Sequence, residues 1–208
     1  VAEVGDKYMK VEEPLRKEYL AEYALEAKLT DIRTALANFG VEYDCWFSER
    51  TLHDSGAIKE VLNTLDERGW LLEKDDAIWL DCERFGEEKP EVLVRANGIP
   101  TYFAADIAYH QNKYQRGFDT VIDIWGADHH GHVARMKGAM EALGYERDRL
   151  EVILMQFVRL YQGGELLKMS KRTGTYVTLN ELVEEVGRDA ARFFFVMRNA
   201  DSLIDFDM

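Results

Sequence analysis

Cysteine is scarce in this chain of 208 residues, which has only Cys45 and Cys82. The two lie 37 residues apart, form no CxxC and leave no second pair to close a zinc site. They read as reduced thiols, the expectation for a cytoplasmic protein. Long apolar runs are missing too, and no stretch approaches the ~20 residues of a membrane helix, which excludes a helical span. The start, Val1-Ala2-Glu3-Val4-Gly5, lacks both an initiator Met and the basic-then-apolar pattern of a signal peptide, and reads as the beginning of a fragment. Basic residues are the minority: 26 Lys and Arg against 39 Asp and Glu give a net charge of −13. Such a surface repels phosphate backbones and excludes a broad non-specific nucleic-acid binder. It leaves room for a local basic patch, or for a small cation held by carboxylates. What is plentiful is core material, at 47% hydrophobic and 12% aromatic residues, enough for one domain or one and a half.

Periodicity divides the chain. Residues 9 to 39 are rich in Glu, Lys, Leu and Ala and predict a helix stopped by Gly40. Val41 to Ser48 is short, aromatic and apolar, which predicts a strand. Asp54-Ser55-Gly56 can cap a helix running to Arg68. Trp70–Leu72 and Ala77–Cys82 flank a polar turn and predict a hairpin, and Ala96-Asn97-Gly98 marks another turn. Thr101 can cap a helix through Gln115. Two apolar strands are expected at Thr120–Trp125 and Val152–Leu160, separated by a helix over His129–Leu143. Nearly continuous apolar strands around a helix predict a parallel sheet covered on both faces, hence an α/β fold. Thr178-Leu179-Asn180-Glu181 is a capping box opening a helix closed by Gly187, and Asp189 can cap the last helix.

Three stretches carry chemistry. Lys168-Met169-Ser170-Lys171-Arg172 sets two lysines three apart on a Gly-flanked loop, a cationic finger that can close on polyphosphate. Taken alone, such a string is also what a solvated basic turn looks like. Trp125-Gly126-Ala127-Asp128-His129-His130-Gly131-His132 sits where an apolar strand gives way to a helix, the ligand-binding end of an open parallel sheet. There Gly126 permits close approach, and Asp128 can accept ribose hydroxyls. His129 and His132 share a helix face, but no third metal ligand is evident. Finally, Tyr102, Asp106 and Tyr109 fall on one helix face, where a carboxylate between phenols can hold a planar cation. An amphipathic helix with an exposed Asp has the same pattern.

The order and text of these strings resemble the bacterial-type arginyl-tRNA synthetases. The likeness runs over residues 38 to 208 and includes Asp44-Cys45-Trp46-Phe47-Ser48-Glu49, Phe193-Phe194-Phe195 and Asp205-Phe206-Asp207. KMSKR resembles the second signature of class I synthetases. His129-His130-Gly131-His132 imitates their HIGH signature, but it lies only 36 residues before Lys168 and resembles instead the ribose-binding segment. The resemblance implies a partial, Rossmann-like class I catalytic domain without the HIGH half and without the anticodon-binding domain. Residues 1–42 would be the helical part of an insertion, 43–160 the second half of the nucleotide-binding domain, and 161–208 the KMSKR loop with the following helices.

The implied activity is ATP-dependent activation of L-arginine and its transfer to tRNA(Arg), with Mg²⁺ accompanying ATP as substrate and no tightly bound cofactor. The resemblance assigns Tyr102, Asp106, Glu49 and Tyr109 to arginine. It assigns Gly126, Asp128, His129, His132, Phe157, Val158, Lys168, Met169, Ser170 and Lys171 to ATP, with Lys168 and Lys171 stabilising the departing pyrophosphate. No dedicated metal site is implied, a monomer is the expectation, and the fragment alone is expected to be inactive. Rival readings are a catalytically inactive synthetase-like module that binds arginine or nucleotide, another class I synthetase, and an excised interaction module. The Tyr102/Asp106 pair offers neither the basic pocket nor the zinc thiolates that glutamate or cysteine would need.

Overall fold

A computed structural model describes residues 6–167 and 176–207. The first helix, α1, spans Glu13–Phe39, with Pro14 in its opening turn, where a missing N–H costs nothing. Next come α2 (Arg50–Asp54) and α3 (Ala57–Glu67), whose Ile58, Val61 and Leu65 are buried at helical spacing. The strands β1 (Leu71–Lys74) and β2 (Ala77–Leu80) form the expected hairpin. Its two turn residues, Asp75 and Asp76, both have positive φ, the mirror-image geometry that matches strand twist and that aspartate tolerates. Strand β3 (Glu91–Val94) completes an antiparallel sheet in the order β1-β2-β3. The chain then reverses through Gly98, at φ 78°, into α4 (Tyr102–Gln115). Thr101 fixes that entry: its hydroxyl donates to the Val92 carbonyl at 2.8 Å and accepts from the Ala104 N–H at 3.4 Å.

Strand β4 (Val121–Gly126) leads through a single 3-10 turn into α5 (His130–Ala142), which returns to β5 (Leu150–Met155). The two strands pair in parallel from Val121↔Leu150 to Gly126↔Met155. The parallel pair is therefore present, but among the described residues it is covered on one face only. Val121 and Asp123 point into the core, whereas Ile122 and Ile124 are 57% and 69% exposed.

After β5 the chain forms β6 (Val158–Gln162) and β7 (Glu165–Leu166), then α6 (Leu179–Val186), α7 (Arg188–Val196) and β8 (Ile204–Asp207). Strands β7, β6 and β8 form a second three-stranded sheet in that order. The capping box of α6 is complete: Thr178 Oγ1 accepts from the Glu181 N–H while the Glu181 carboxylate accepts from the Thr178 N–H.

Three local expectations are corrected. Val41–Ser48 forms no strand, because no described segment pairs with it and Phe47 instead stacks on Tyr109 at 4.6 Å. The run Val152–Leu160 is not one strand: it breaks after Met155, where the Gln156 N–H donates to the Ala200 carbonyl, and resumes in a different sheet. Gly187, not Asp189, holds the cap position of α7, and Asp189 pairs with Arg188 in the first turn.

The described residues group into two units. One lies within Val1–Cys45, Arg159–Met197 and Asp205–Met208, the other within Trp46–Val158 and Arg198–Ile204. In the first, α1 meets α7 through Phe39 and Phe195, with ring centres 5.9 Å apart, and Arg192 donates to the Phe39 carbonyl at 2.9 Å. The same unit holds a two-point pair between Arg159 and Asp205, at 2.6 and 2.9 Å. The second unit contains the main core, where Leu65, Leu80, Leu93, Ile107, Met136, Met140 and Leu150 are completely buried. Each such side chain contributes roughly 1.5–3 kcal/mol from removal of apolar surface from water. No helix among the described residues is long and apolar enough to cross a membrane.

Candidate active site

Every residue placed in the site below belongs to the second unit. Its floor is the carboxyl end of β4. The strand delivers Trp125 and Gly126 to the edge of the sheet, and the chain turns at once into α5. Gly126 leaves room for the Asp128 carboxylate, an oxygen of which would lie 2.5 Å from a Cβ at this position. The short turn folds Asp128 back beside its own strand end, where it lines the cavity.

One wall is α4. Its face at i, i+4 and i+7 presents Tyr102, Asp106 and Tyr109, as the spacing predicts. Tyr102 is 79% exposed, a large apolar ring left in the open at the cavity mouth. The opposite wall is α5, which contributes His132. Its Nε2 lies 3.7 Å from the Asp106 carboxylate, and its ring packs edge-on against Phe103 at 5.1 Å and tilted against Trp125 at 5.5 Å.

Between these walls is a cavity of about 850 Å³. Of the residues singled out in the sequence, Tyr102, Asp106, Tyr109, Gly126, Asp128, His129 and His132 all line it. A second, smaller cavity of about 250 Å³ is lined by Phe47, Glu49, Leu52, Ala105, Asp106 and Tyr109. Asp106 and Tyr109 border both. Glu49 sits at the start of α2, not at a strand end, and approaches His53 at 3.5 Å. The structure thus brings the two carboxylates of Glu49 and Asp106 to one small enclosure walled by aromatic rings, the arrangement a flat cation fits.

One pair of sequence candidates falls elsewhere. Phe157 is exposed and Val158 half-buried, and neither lines either cavity. Lys168, Met169, Ser170 and Lys171 lie outside the described residues. His129 approaches Asp128 at 3.8 Å, and among the described residues no group of three His, Cys, Asp or Glu side chains is placed to hold a metal ion.

Sequence reasoning missed the charged layer behind α4. Asp123, 7% exposed in the middle of β4, accepts hydrogen bonds from His110 and from Lys113, the latter at 2.5 Å. Burial alone would push the Asp123 carboxyl up, but the hydrogen bonds and charges of His110 and Lys113 outweigh it and hold it below the ordinary carboxylate value. The available signal was an aspartate at an inward-facing position of an otherwise apolar strand, which must find cationic partners or not be buried at all. Glu91 and Arg135, which pair across the mouth of the larger cavity, were missed for want of any motif.

The family model described as "tRNA synthetases class I (R), catalytic domain" matches residues 23–207. The chain belongs to the arginyl-tRNA synthetases. The chain is 62% identical, over all of its 208 residues, to an arginine–tRNA ligase of Desulfitobacterium hafniense, of which it covers 37%. It is 64% identical over the same length to an arginine–tRNA ligase of Moorella thermoacetica, again covering 37%. The chain therefore spans little more than a third of the curated relatives it matches. Among solved structures, one described as an arginyl-tRNA synthetase of Campylobacter jejuni superposes with a TM-score of 0.89 at 38% identity, over 99% of this chain and 45% of the other. The arginyl-tRNA synthetase of Thermus thermophilus superposes at 0.68 over 94% of this chain and 44% of its own, with 17% identity, a likeness of fold alone.

Proposed function

We propose that this chain supplies the amino-acid pocket and the ribose-binding turn of an arginine–tRNA ligase, which activates L-arginine with ATP and transfers it to tRNA(Arg). The observation that carries the reading is the position of Asp106, shared between the cavity that holds Gly126 and Asp128 and the enclosure that holds Glu49. A substrate with a guanidinium at one end and a carboxylate at the other would span them.

In this reading Asp106 takes the planar fork of the guanidinium by two parallel hydrogen bonds, with Glu49 adding a second negative charge and Tyr102 and Tyr109 flanking the cation. Lysine, a point charge without the fork, would leave one carboxylate oxygen unmatched. The arginine carboxylate would then point toward the β4 end, where Asp128 holds the ribose of ATP and Gly126 lets it lie close to the backbone. Its oxygen attacks the α-phosphate in line, the bond to the β-phosphate breaks, and pyrophosphate leaves. No covalent enzyme intermediate is needed, so positioning and charge stabilisation carry the rate. By family resemblance Lys168 and Lys171 would meet the pyrophosphate charge. Mg²⁺ enters with ATP, bound to its phosphates and water in the manner usual for that ion. A cytoplasmic location follows from the same reading, since the other substrate is tRNA.

The test is a thermal shift with a non-hydrolysable arginyl-adenylate analogue, using the lysyl analogue as control. A ligand bound only to the folded state raises its stability by RT ln(1 + [L]/Kd), about 2.7 kcal/mol at a hundredfold excess over Kd. The arginyl analogue should raise Tm, the lysyl analogue should not, and Asp106→Ala should abolish the difference. Equal shifts with both analogues would remove the assignment of Asp106 to arginine.

A further inference from the structure

The buried charges behind α4 do more than fill the core. His110 is 3% exposed and sits between two hydrogen-bond acceptors. Its Nδ1 is 2.7 Å from the Asp106 carbonyl, and its Nε2 bonds the Asp123 carboxylate. A carbonyl oxygen only accepts, so Nδ1 carries a proton. An ionised carboxylate also only accepts, so Nε2 carries one as well. The ionised state of Asp123 is secured by Lys113, which donates to its other oxygen at 2.5 Å and also lies 4.5 Å from the Tyr109 ring centre. The geometry therefore describes an imidazolium, an ammonium and one carboxylate, with a net charge of +1, beneath the turn whose outward face carries Asp106.

We propose that His110 is a positioning residue for the Asp106 carboxylate. This rests on the reading of Asp106 as the guanidinium partner. The ring bonds the backbone of Asp106 itself, one helical turn earlier, so the turn that carries Asp106 is tied to β4 through His110 and Asp123. Asp123 lies three residues before Gly126 on the strand whose end forms the floor of the larger cavity. The same linkage thus sets the amino-acid wall against the ribose turn.

The experiment measures ATP–pyrophosphate exchange in the full-length protein that carries this chain, with tRNA present, and separates KM for arginine from KM for ATP. His110→Phe keeps the ring shape and removes both donors. Its arginine KM should rise about ten- to a hundredfold, the scale of an ångström-level misplacement, with ATP KM unchanged. His110→Asn can still donate to the Asp106 carbonyl and should recover most of the loss. Asp123→Asn keeps the shape and removes the charge, and should also raise arginine KM selectively. Nitrogen-15 NMR of the wild-type ring should show both nitrogens protonated, whether or not the Phe variant folds. An arginine KM within twofold of wild type in folded His110→Phe, or a singly protonated ring, overturns the proposal and leaves the function standing. Exchange in the wild type that is active but indifferent to arginine overturns the functional reading, and this inference with it.

Discussion

Burial separates the two thiols, although the sequence treats them alike. Cys82 is completely buried, and loss of hydration pushes its thiol up to about 11 despite a backbone hydrogen bond at Glu91 that acts the other way. The thiolate is the nucleophile, so near pH 8 Cys82 presents roughly a thousandth of its population in reactive form. Cys45 is exposed. Iodoacetamide at that pH should therefore label one cysteine per folded chain and two in urea, read by peptide mass spectrometry. Labelling of Cys82 in the native protein at the Cys45 rate would contradict its placement. The same scale shows why the candidate site was only half legible. Tyr102, Asp106, Gly126 and Asp128 announce themselves, because spacing and local space requirements act between near neighbours. His110, Asp123 and Lys113 do not. Their pairing joins a helix to a strand, and only the fold brings the inward face of one beneath the other.

The packing of whole elements gives a case where two rules oppose each other. Gly138 lies within α5, where alanine would normally be favoured by about 1 kcal/mol through helix propensity. A Cβ at this position would overlap the Phe85 ring. That ring cannot retreat cheaply, since it stacks on Trp70 at 4.7 Å, and the Arg84 guanidinium lies 3.5 Å from the Trp70 ring centre. Overpacking costs about 1–3 kcal/mol, so it should win. Gly138→Ala is expected to lower the urea midpoint, and Phe85→Leu in the same chain to restore part of it. A stabilised single variant would mean that helix and turn are less tightly apposed than described. Elements with local signals were the legible ones: the Asp75–Asp76 hairpin, the Thr101 cap and the Thr178/Glu181 box all formed where predicted. Val152–Leu160 misled because apolar periodicity is blind to which sheet a strand joins, and the break at Gln156 is made by a carbonyl 44 residues away at Ala200. Val41–Ser48 misled for the related reason that a strand exists only if another segment pairs with it.

For the molecule as a whole, long-range pairing decides both the architecture and the response to acid. No linear signal joins α1 to α7, yet Phe39 and Arg192 are in contact across 153 positions. The net charge of −13 likewise says nothing about which carboxylates stabilise the fold, since most of them lie on the solvated surface. Among the described residues Asp123 is the buried exception. Its folded-state pKa lies below the ordinary value of 3.8, so between the two values the unfolded chain binds a proton that the folded chain does not. Stability from this carboxylate is therefore fully present above the ordinary value and is lost as pH falls through the folded value. Removing the charge while keeping the shape, in Asp123→Asn, deletes that contribution and leaves the cations of His110 and Lys113 without a partner, a loss of about 3–5 kcal/mol by the usual cost of breaking a buried pair. Urea unfolding of wild type and variant should show this gap undiminished from pH 7 to pH 5 and shrinking below pH 4. A gap that failed to shrink below pH 4 would contradict a folded-state value held below the ordinary one.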